Sequence, residues 1–277
     1  GKILLIIILT VTSLVLYARY VGTSGLVIYE HKITSNKIPD SFHGLKVIQF
    51  TDLHYGSTVL KNEVNHLVNE INLRKPDLVL FTGDLIDKDY QISEKELEDL
   101  ITAFQTIQAT IGKYAVAGNH DVDNKLFNQV MLQSDFTILD NSSELLYYEG
   151  YDPILLVGLN SSIKEKRDIE KAFNYFNTEA SNHDIFTITM LHESDSIDNI
   201  LSKYPTDLAL AGHSHNGQIR IPFFGSIKKI NGAKKYSEPF YQINDTQLYI
   251  SGGIGTSNYP FRLFDRPSFN FFRITKK

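Results

Sequence analysis

Five short segments of this chain concentrate metal-binding side chains. They are Asp52-Leu53-His54, Gly83-Asp84, Gly118-Asn119-His120-Asp121, Leu191-His192 and Gly212-His213-Ser214-His215. Each follows directly on an apolar run that reads as a strand. Their donors are carboxylate, amide and imidazole, with no thiolate, and that set suits a hydrolytic centre built on two metal ions. Such a centre needs an anion shared between the cations, and Asp84, a lone carboxylate, is the natural bridge. Asp52 and His54 alternate along an extended segment, so both can face one way. His213 and His215 share that spacing and can divide between two ions. Asn119 offers a neutral carbonyl oxygen. His120 projects differently and suits a proton donor or phosphate partner, with Asp121 placed to accept its second ring N–H.

The elements that must position these residues can be read from the pattern. Leu45–Phe50, Leu78–Phe81 and Tyr114–Ala117 are strand-like, the second a continuous apolar run of the kind covered on both faces. Between them Val64, Leu67, Val68 and Ile71 trace one helix face. A second helix carries Leu97, Leu100, Ile101, Phe104 and Ile107 and starts at Ser93, whose pairing with Glu96 predicts a capping box. Strand and helix alternate from about residue 45 to 135, which points to a layered α/β architecture. Further strands are expected at Val27–Tyr29, Leu145–Tyr148, Ile154–Val157, Ile185–Met190, Asp207–Leu210 and Leu248–Ile250, with helices over Lys164–Phe176 and Ser196–Lys203. Ligands of open α/β sheets collect at the carboxyl ends of strands. All five segments lie there, so the fold should gather them on one edge. His31, His43 and His66 fall outside the set and read as surface or structural residues.

Composition narrows the functional classes. The chain has 277 residues, 42% hydrophobic and 21% charged, with net charge −5 and no cysteine. That supports one domain with a substantial core. It carries no basic stripe for nucleic acid, and it excludes disulfides, thiol catalysis and cysteine zinc sites. Nothing in the sequence calls for an obligate protein partner. Residues 1–22 form a hydrophobic segment ahead of a domain at 23–277. Ile3 to Tyr17 carries no charge, somewhat short of the roughly 20 residues of a spanning helix. A membrane anchor is the first expectation. A cleavable export signal is the second, although no small-x-small site follows, and a buried helix is the third. Lys2 and Arg19 flank the run too evenly to set its orientation.

The ordered set Asp52-x-His54, Gly83-Asp84, Gly118-Asn119-His120-Asp121, His192 and Gly212-His213-x-His215 resembles the calcineurin-like metallophosphoesterase superfamily, over residues 45 to about 270. Within it the chain resembles a bacterial branch of membrane-associated enzymes, through Thr51–His54, Asn216–Pro222, and Gly253–Thr256 followed by Arg262 and Arg266-Pro267. It departs at Ser268, where an acidic residue is usual. The resemblance implies a four-layer α/β/β/α sandwich. It implies one metal on Asp52, His54, Asp84 and His215, a second on Asp84, Asn119, His192 and His213, and His120 as general acid or transition-state stabiliser. It implies phosphoester hydrolysis by a hydroxide bridging two divalent ions, for which this donor set suits Mn, Fe or Zn.

The substrate is less legible. Arg262 is the candidate for an extra phosphate contact, since its fork matches phosphate bidentately. A phosphodiester or phosphomonoester is the general expectation. A lipid-linked nucleotide pyrophosphate such as UDP-2,3-diacylglucosamine is the alternative that the apolar front end and the aromatics of Tyr259–Phe264 motivate. A binding module with vestigial metals is the contrasting class.

Overall fold

The computed structural model describes residues 1–164, 167–178 and 181–277. Helix α1 (Lys2–Leu16) buries none of its residues and runs into a π-helical turn at Tyr17–Val21. Together Lys2–Val21 make a 20-residue helical stretch of mean hydropathy 2.1, long and apolar enough to cross a membrane. Strands β1 (Val27–Ser35) and β2 (Leu45–Phe50) follow, then α2 (Lys61–Leu73), β3 (Leu78–Phe81), α3 (Glu94–Gln105), β4 (Gly112–Ala115), α4 (Lys125–Gln133) and β5 (Thr137–Ile138). The second half contains β6 (Ser142–Leu146), β7 (Ile154–Gly158), α5 (Ile169–Ala172), β8 (Thr187–Met190), α6 (Ile197–Leu201), β9 (Leu208–Ala211), β10 (Arg220–Ile221), β11 (Gly225–Ser226), β12 (Phe240–Ile243), β13 (Thr246–Ile250) and β14 (Ser268–Lys276).

These strands build two six-stranded sheets and a small β10–β11 hairpin. The first sheet has the order β1-β14-β2-β3-β4-β5, the second β12-β13-β9-β8-β7-β6. Strands β2 to β5 run parallel, as do β7, β8, β9 and β13. Side chains alternate between the faces of each strand, and that alternation divides the core. Val47, Leu78 and Leu80 of the first sheet meet Leu156, Ile188 and Leu210 of the second between the sheets. Ile48, Val79 and Phe81 turn the other way, onto α2, α3 and α4. Val157, Ala209 and Ala211 turn outward against α5 and α6. The result is the four-layer α/β/β/α sandwich.

The Ser93–Glu96 capping box forms as expected, the Ser93 backbone N–H donating to Glu96 at 2.9 Å and the Glu96 N–H to the Ser93 hydroxyl at 3.3 Å. Other elements differ from the sequence reading. The third strand spans Gly112–Ala115, two residues earlier than expected, although the Val116 N–H still donates to the Phe81 carbonyl at 3.0 Å. The helix expected over Lys164–Phe176 is a short α5 followed by a 3-10 turn at Asn174–Asn177. Residues 165 and 166 of that span lie outside the described residues. His31 lies partly buried against Phe272, with ring centroids 5.0 Å apart, and pairs with Asn270 at 3.0 Å.

One buried polar residue ties the two sheets. The Gln49 amide donates to Thr82 Oγ1 at 3.0 Å and, across the interface, to the Ala211 carbonyl at 2.8 Å, while accepting from Asn270 at 2.8 Å. Gln49→Leu keeps the volume and strands three buried partners. It should destabilise the protein by about 2–3 kcal/mol in urea unfolding. A loss below experimental scatter would show that the bridge contributes nothing.

Candidate metal centre

The carboxyl ends of β2, β3, β4, β8 and β9 meet on one edge, and every candidate ligand sits in the first residues beyond them. The strand ladder continues into the site: the Asp52 N–H donates to the Gly83 carbonyl at 2.8 Å and the His54 N–H to the Asp84 carbonyl at 3.2 Å. On the second sheet the Gly212 N–H donates to the His192 carbonyl at 3.0 Å. Each chain then turns sharply. Asp52, His54, Asp84, His213 and His215 all have positive φ, between 43° and 65°. That region is sparsely used by residues other than glycine, and Asp, Asn and His enter it more readily than most. Gly83 is required for closeness: a Cβ there would stand 2.5 Å from the Gly118 backbone nitrogen.

The side chains converge. Asp52, His54 and His215 bring ligand atoms within 4.8 Å of one another, and so do Asp84, His192 and His213. His54 Nε2 and His215 Nε2 lie 3.1 Å apart, and His215 Nε2 is 3.2 Å from Asp52 Oδ1. Asp84 Oδ2 stands between the groups, 3.5 Å from His54 Nε2, 3.3 Å from His192 Nε2 and 3.8 Å from His120 Nε2.

Each carboxylate has one oxygen committed to the protein. Asp52 Oδ2 accepts from the Thr51 hydroxyl at 2.7 Å and the His213 N–H at 2.9 Å. Asp84 Oδ1 accepts from the His120 N–H at 2.9 Å. The histidines are fixed from behind: His192 Nδ1 donates to the Thr82 carbonyl at 2.7 Å and His213 Nε2 to the Asn231 carbonyl at 2.8 Å. Those bonds leave His192 Nε2 and His213 Nδ1 as the free lone pairs. Asp52 Oδ1, Asn119 Oδ1 and His192 Nε2 are buried without any hydrogen-bond partner. Buried polar atoms rarely stay unpaired, and these three belong to donors of the type a divalent cation takes. The residues therefore fit the group.

Two expected roles change. Asp121 does not touch His120. Its carboxylate accepts the backbone N–H groups of Asp84 (2.6 Å), Leu85 (3.0 Å) and Gly118 (2.9 Å), so it ties the loop after β3 to the loop after β4. Burial and then the charge of Asp84 push its pKa up to about 6. His120 Nδ1 is left without a partner, and its ring edge is partly exposed at the site mouth.

Arg262 lies 0% exposed, so it is not a surface contact for phosphate. Its guanidinium donates to the carbonyls of Gly252 (2.6 Å) and Gly255 (2.6 Å) and pairs with Asp265 at 2.8 Å. The loop it clamps packs on Asp52, whose carbonyl accepts the Gly255 N–H at 2.8 Å.

Sequence reasoning passed over Glu193, which is wholly buried beside His192. It accepts from the Ser162 N–H at 2.8 Å and pairs with Arg167 at 2.6 Å. An acidic residue directly after a strand-end histidine was the available signal.

Charge in the centre is coupled. Burial opposes ionisation of Asp52 and Asp84, yet the adjoining His215 and His192 rings hold both carboxyls below the ordinary range. Burial likewise opposes charge on His54 and His192, and the two carboxylates outweigh it and raise both rings. Burial dominates at His120 and at His215, lowering the former and bringing the latter to about 4.

The family model for calcineurin-like phosphoesterases matches residues 45–217. The chain is 30% identical to the uncharacterized metallophosphoesterase YkuE of Bacillus subtilis over 93% of this chain and 88% of that protein. It is 25% identical to the phosphodiesterase YaeI of Escherichia coli, over 91% and 89% of the two chains. It is 24% identical to the UDP-2,3-diacylglucosamine pyrophosphatase LpxG of Chlamydia muridarum, over 68% and 69%.

Two outcomes follow from the charge balance and the clamp. A cation competes with protons for the ring nitrogens of His54 and His192, whose pKa values the adjoining carboxylates raise against the effect of burial. Apparent Mn2+ affinity should therefore rise with pH, by about tenfold per unit for each proton released. Calorimetric titration in buffers of differing ionisation enthalpy checks this, and affinity independent of pH between about 6 and 8 contradicts it. Arg262→Ala strands Asp265 in the interior and should cost about 3–5 kcal/mol of folding stability. A variant of unchanged stability with only a raised KM would restore Arg262 as a substrate contact.

Proposed function

The chain belongs to the calcineurin-like phosphoesterase family, and on that premise we propose that it hydrolyses a phosphodiester or related phosphoester at a centre of two divalent metal ions. One ion would be held by Asp52, His54, Asp84 and His215, the other by Asp84, Asn119, His192 and His213. The observation that carries this reading is Asp84 Oδ2, which lies within 3.5 Å of a histidine from each group. When bound, the ions supply Lewis-acid polarisation of the phosphoryl group and lower the pKa of a coordinated water.

The chain's own residues do the rest. Asp52 and Asp84 present one unsatisfied oxygen each, and their other oxygens keep them from turning away. Burial lowers the pKa of His120, which favours its neutral ring. A neutral ring still carries one N–H, which it can offer to a phosphoryl or leaving oxygen. Asp121 supports the reaction indirectly, by holding the backbone of Asp84 and Gly118 in register.

The exposed apolar side chains of α1 support a membrane-resident location. That helix favours, as second reading, a lipid-linked pyrophosphate of the type named for the Chlamydia relative. Metal identity is open among Mn, Fe and Zn on donor chemistry alone.

Purified full-length protein should hydrolyse bis-p-nitrophenyl phosphate with added Mn2+ and lose that activity to chelator. Asp84→Asn and His120→Ala should each lower turnover by about a hundredfold or more while circular dichroism stays native. Turnover indifferent to chelator, or a fully active His120→Ala, would contradict the assignment. A panel including lipid pyrophosphates in mixed micelles separates the two substrate readings.

A further inference from the structure

The β10–β11 hairpin exposes its apolar residues instead of burying them. Phe223 and Phe224, at its turn, are 106% and 86% exposed, with Ile221, Ile227 and Phe264 also open to solvent. Phe223 has φ +71°, a conformation that bulky side chains seldom adopt. The turn is nevertheless closed by the Phe224 N–H on the Ile221 carbonyl at 3.0 Å, and the hairpin base is fixed by an Arg220–Glu238 ion pair. Lys228 and Lys229 follow directly and are exposed. Adjacent aromatics beside lysines form the composition of a segment that enters a bilayer interface.

The hairpin is joined to the foot of α1. The Arg262 N–H donates to the Ala18 carbonyl at 2.9 Å. Gly22 lies so close to the Arg262 carbonyl that a Cβ there would collide with its oxygen. The next residue, Leu263, accepts from the Arg220 N–H at 3.0 Å and donates to the Gln218 carbonyl at 2.9 Å. The hairpin thus starts one residue from the helix contact. Its tip lies three residues beyond Arg220, about 10 Å at the rise of a strand. The headgroup layer on each side of a bilayer is roughly 5–7 Å thick. With α1 in the membrane, the tip is within reach of that layer.

We infer that Phe223 and Phe224 insert into the same bilayer that holds α1, so that the hairpin is a second, interfacial contact. This rests on the reading of α1 as a membrane segment. Its consequence concerns the substrate. A cavity of about 260 Å3 lies between the hairpin and the metal centre, lined by His215, Ile219, Ile227, Ile230, Tyr259 and Phe261. Its apolar walls suit the hydrocarbon part of an amphiphilic phosphoester whose phosphate reaches the centre at His215. The two membrane contacts place the cavity where such a molecule resides.

The chain contains no tryptophan, so Phe223→Trp introduces a sole tryptophan, whose emission is excited selectively over that of the tyrosines. Full-length Phe223→Trp protein is reconstituted in phosphatidylcholine–phosphatidylglycerol vesicles, with and without brominated acyl chains, and recovered by flotation. The residue should enter roughly 5–10 Å into the acyl boundary and lose about half its emission to bromine. Tyr151→Trp, on a loop residue 97% exposed, serves as control and should not be quenched. Quenching of Phe223→Trp no greater than the control, in protein that floats, overturns the inference and leaves the tip as a protein-docking surface. Protein that does not float overturns the membrane reading of α1 and the inference with it. Hydrolysis of a soluble diester is measured on the same samples, so that failure of the membrane contact is distinguishable from failure of the phosphoesterase reading.

Discussion

Two carboxylates, Asp52 and Asp84, are held ionised out of water, and most of the surrounding structure answers that constraint. A buried charge persists only when it is paired and hydrogen-bonded. Here the protein satisfies one oxygen of each and leaves the other facing imidazoles from a different strand end. Two of the histidines, His192 and His213, are themselves locked by the carbonyls of Thr82 and Asn231. Five residues of the set adopt left-handed backbone conformations to bring this about. Conformations of that kind are costly and cluster at functional sites, where the rest of the fold over-determines them. In this chain the over-determination comes from two six-stranded sheets whose parallel strands deliver their carboxyl ends to one edge, and from Gln49, which ties the sheets just behind it.

The candidate site was legible because its signal is local and ordered. A ligand residue follows directly on each apolar strand, and the strand ends of two sheets can meet on one edge. Helix faces and the Ser93 cap were legible for the same reason, since their partners lie within four residues. What escaped was partner choice across the fold. Asp121 adjoins His120 in sequence, yet three backbone amides from the loops after β3 and β4 claim its carboxylate. Arg262 reads as a phosphate contact because its fork matches phosphate. Only the tertiary structure reveals that carbonyls of Gly252–Gly255 and Asp265 take its donors. Strand β14 went unread, although Phe269, Phe271, Phe272 and Ile274 are buried within it. Its residues split between two core faces, so no single apolar stripe marks it.

Arg262 gives the chain a physical continuity from front end to metal centre. Its backbone binds the last turn of the N-terminal helix, its side chain clamps the loop against Asp52, and its neighbour Leu263 accepts from the N–H of Arg220, the first residue of the exposed hairpin. The hydrophobic segment is therefore not a detached tether. Its foot is part of the same packed unit that shapes one wall of the site, which relates where the protein resides to what can reach Asp84.

Anomalous scattering from crystals equilibrated with Mn2+ tests the central claim most directly. Two peaks roughly 3.5–4 Å apart should flank Asp84, one among Asp52, His54 and His215, the other among Asn119, His192 and His213. A single ion away from Asp84, or no ordered ion on these residues at saturating Mn2+, would contradict it.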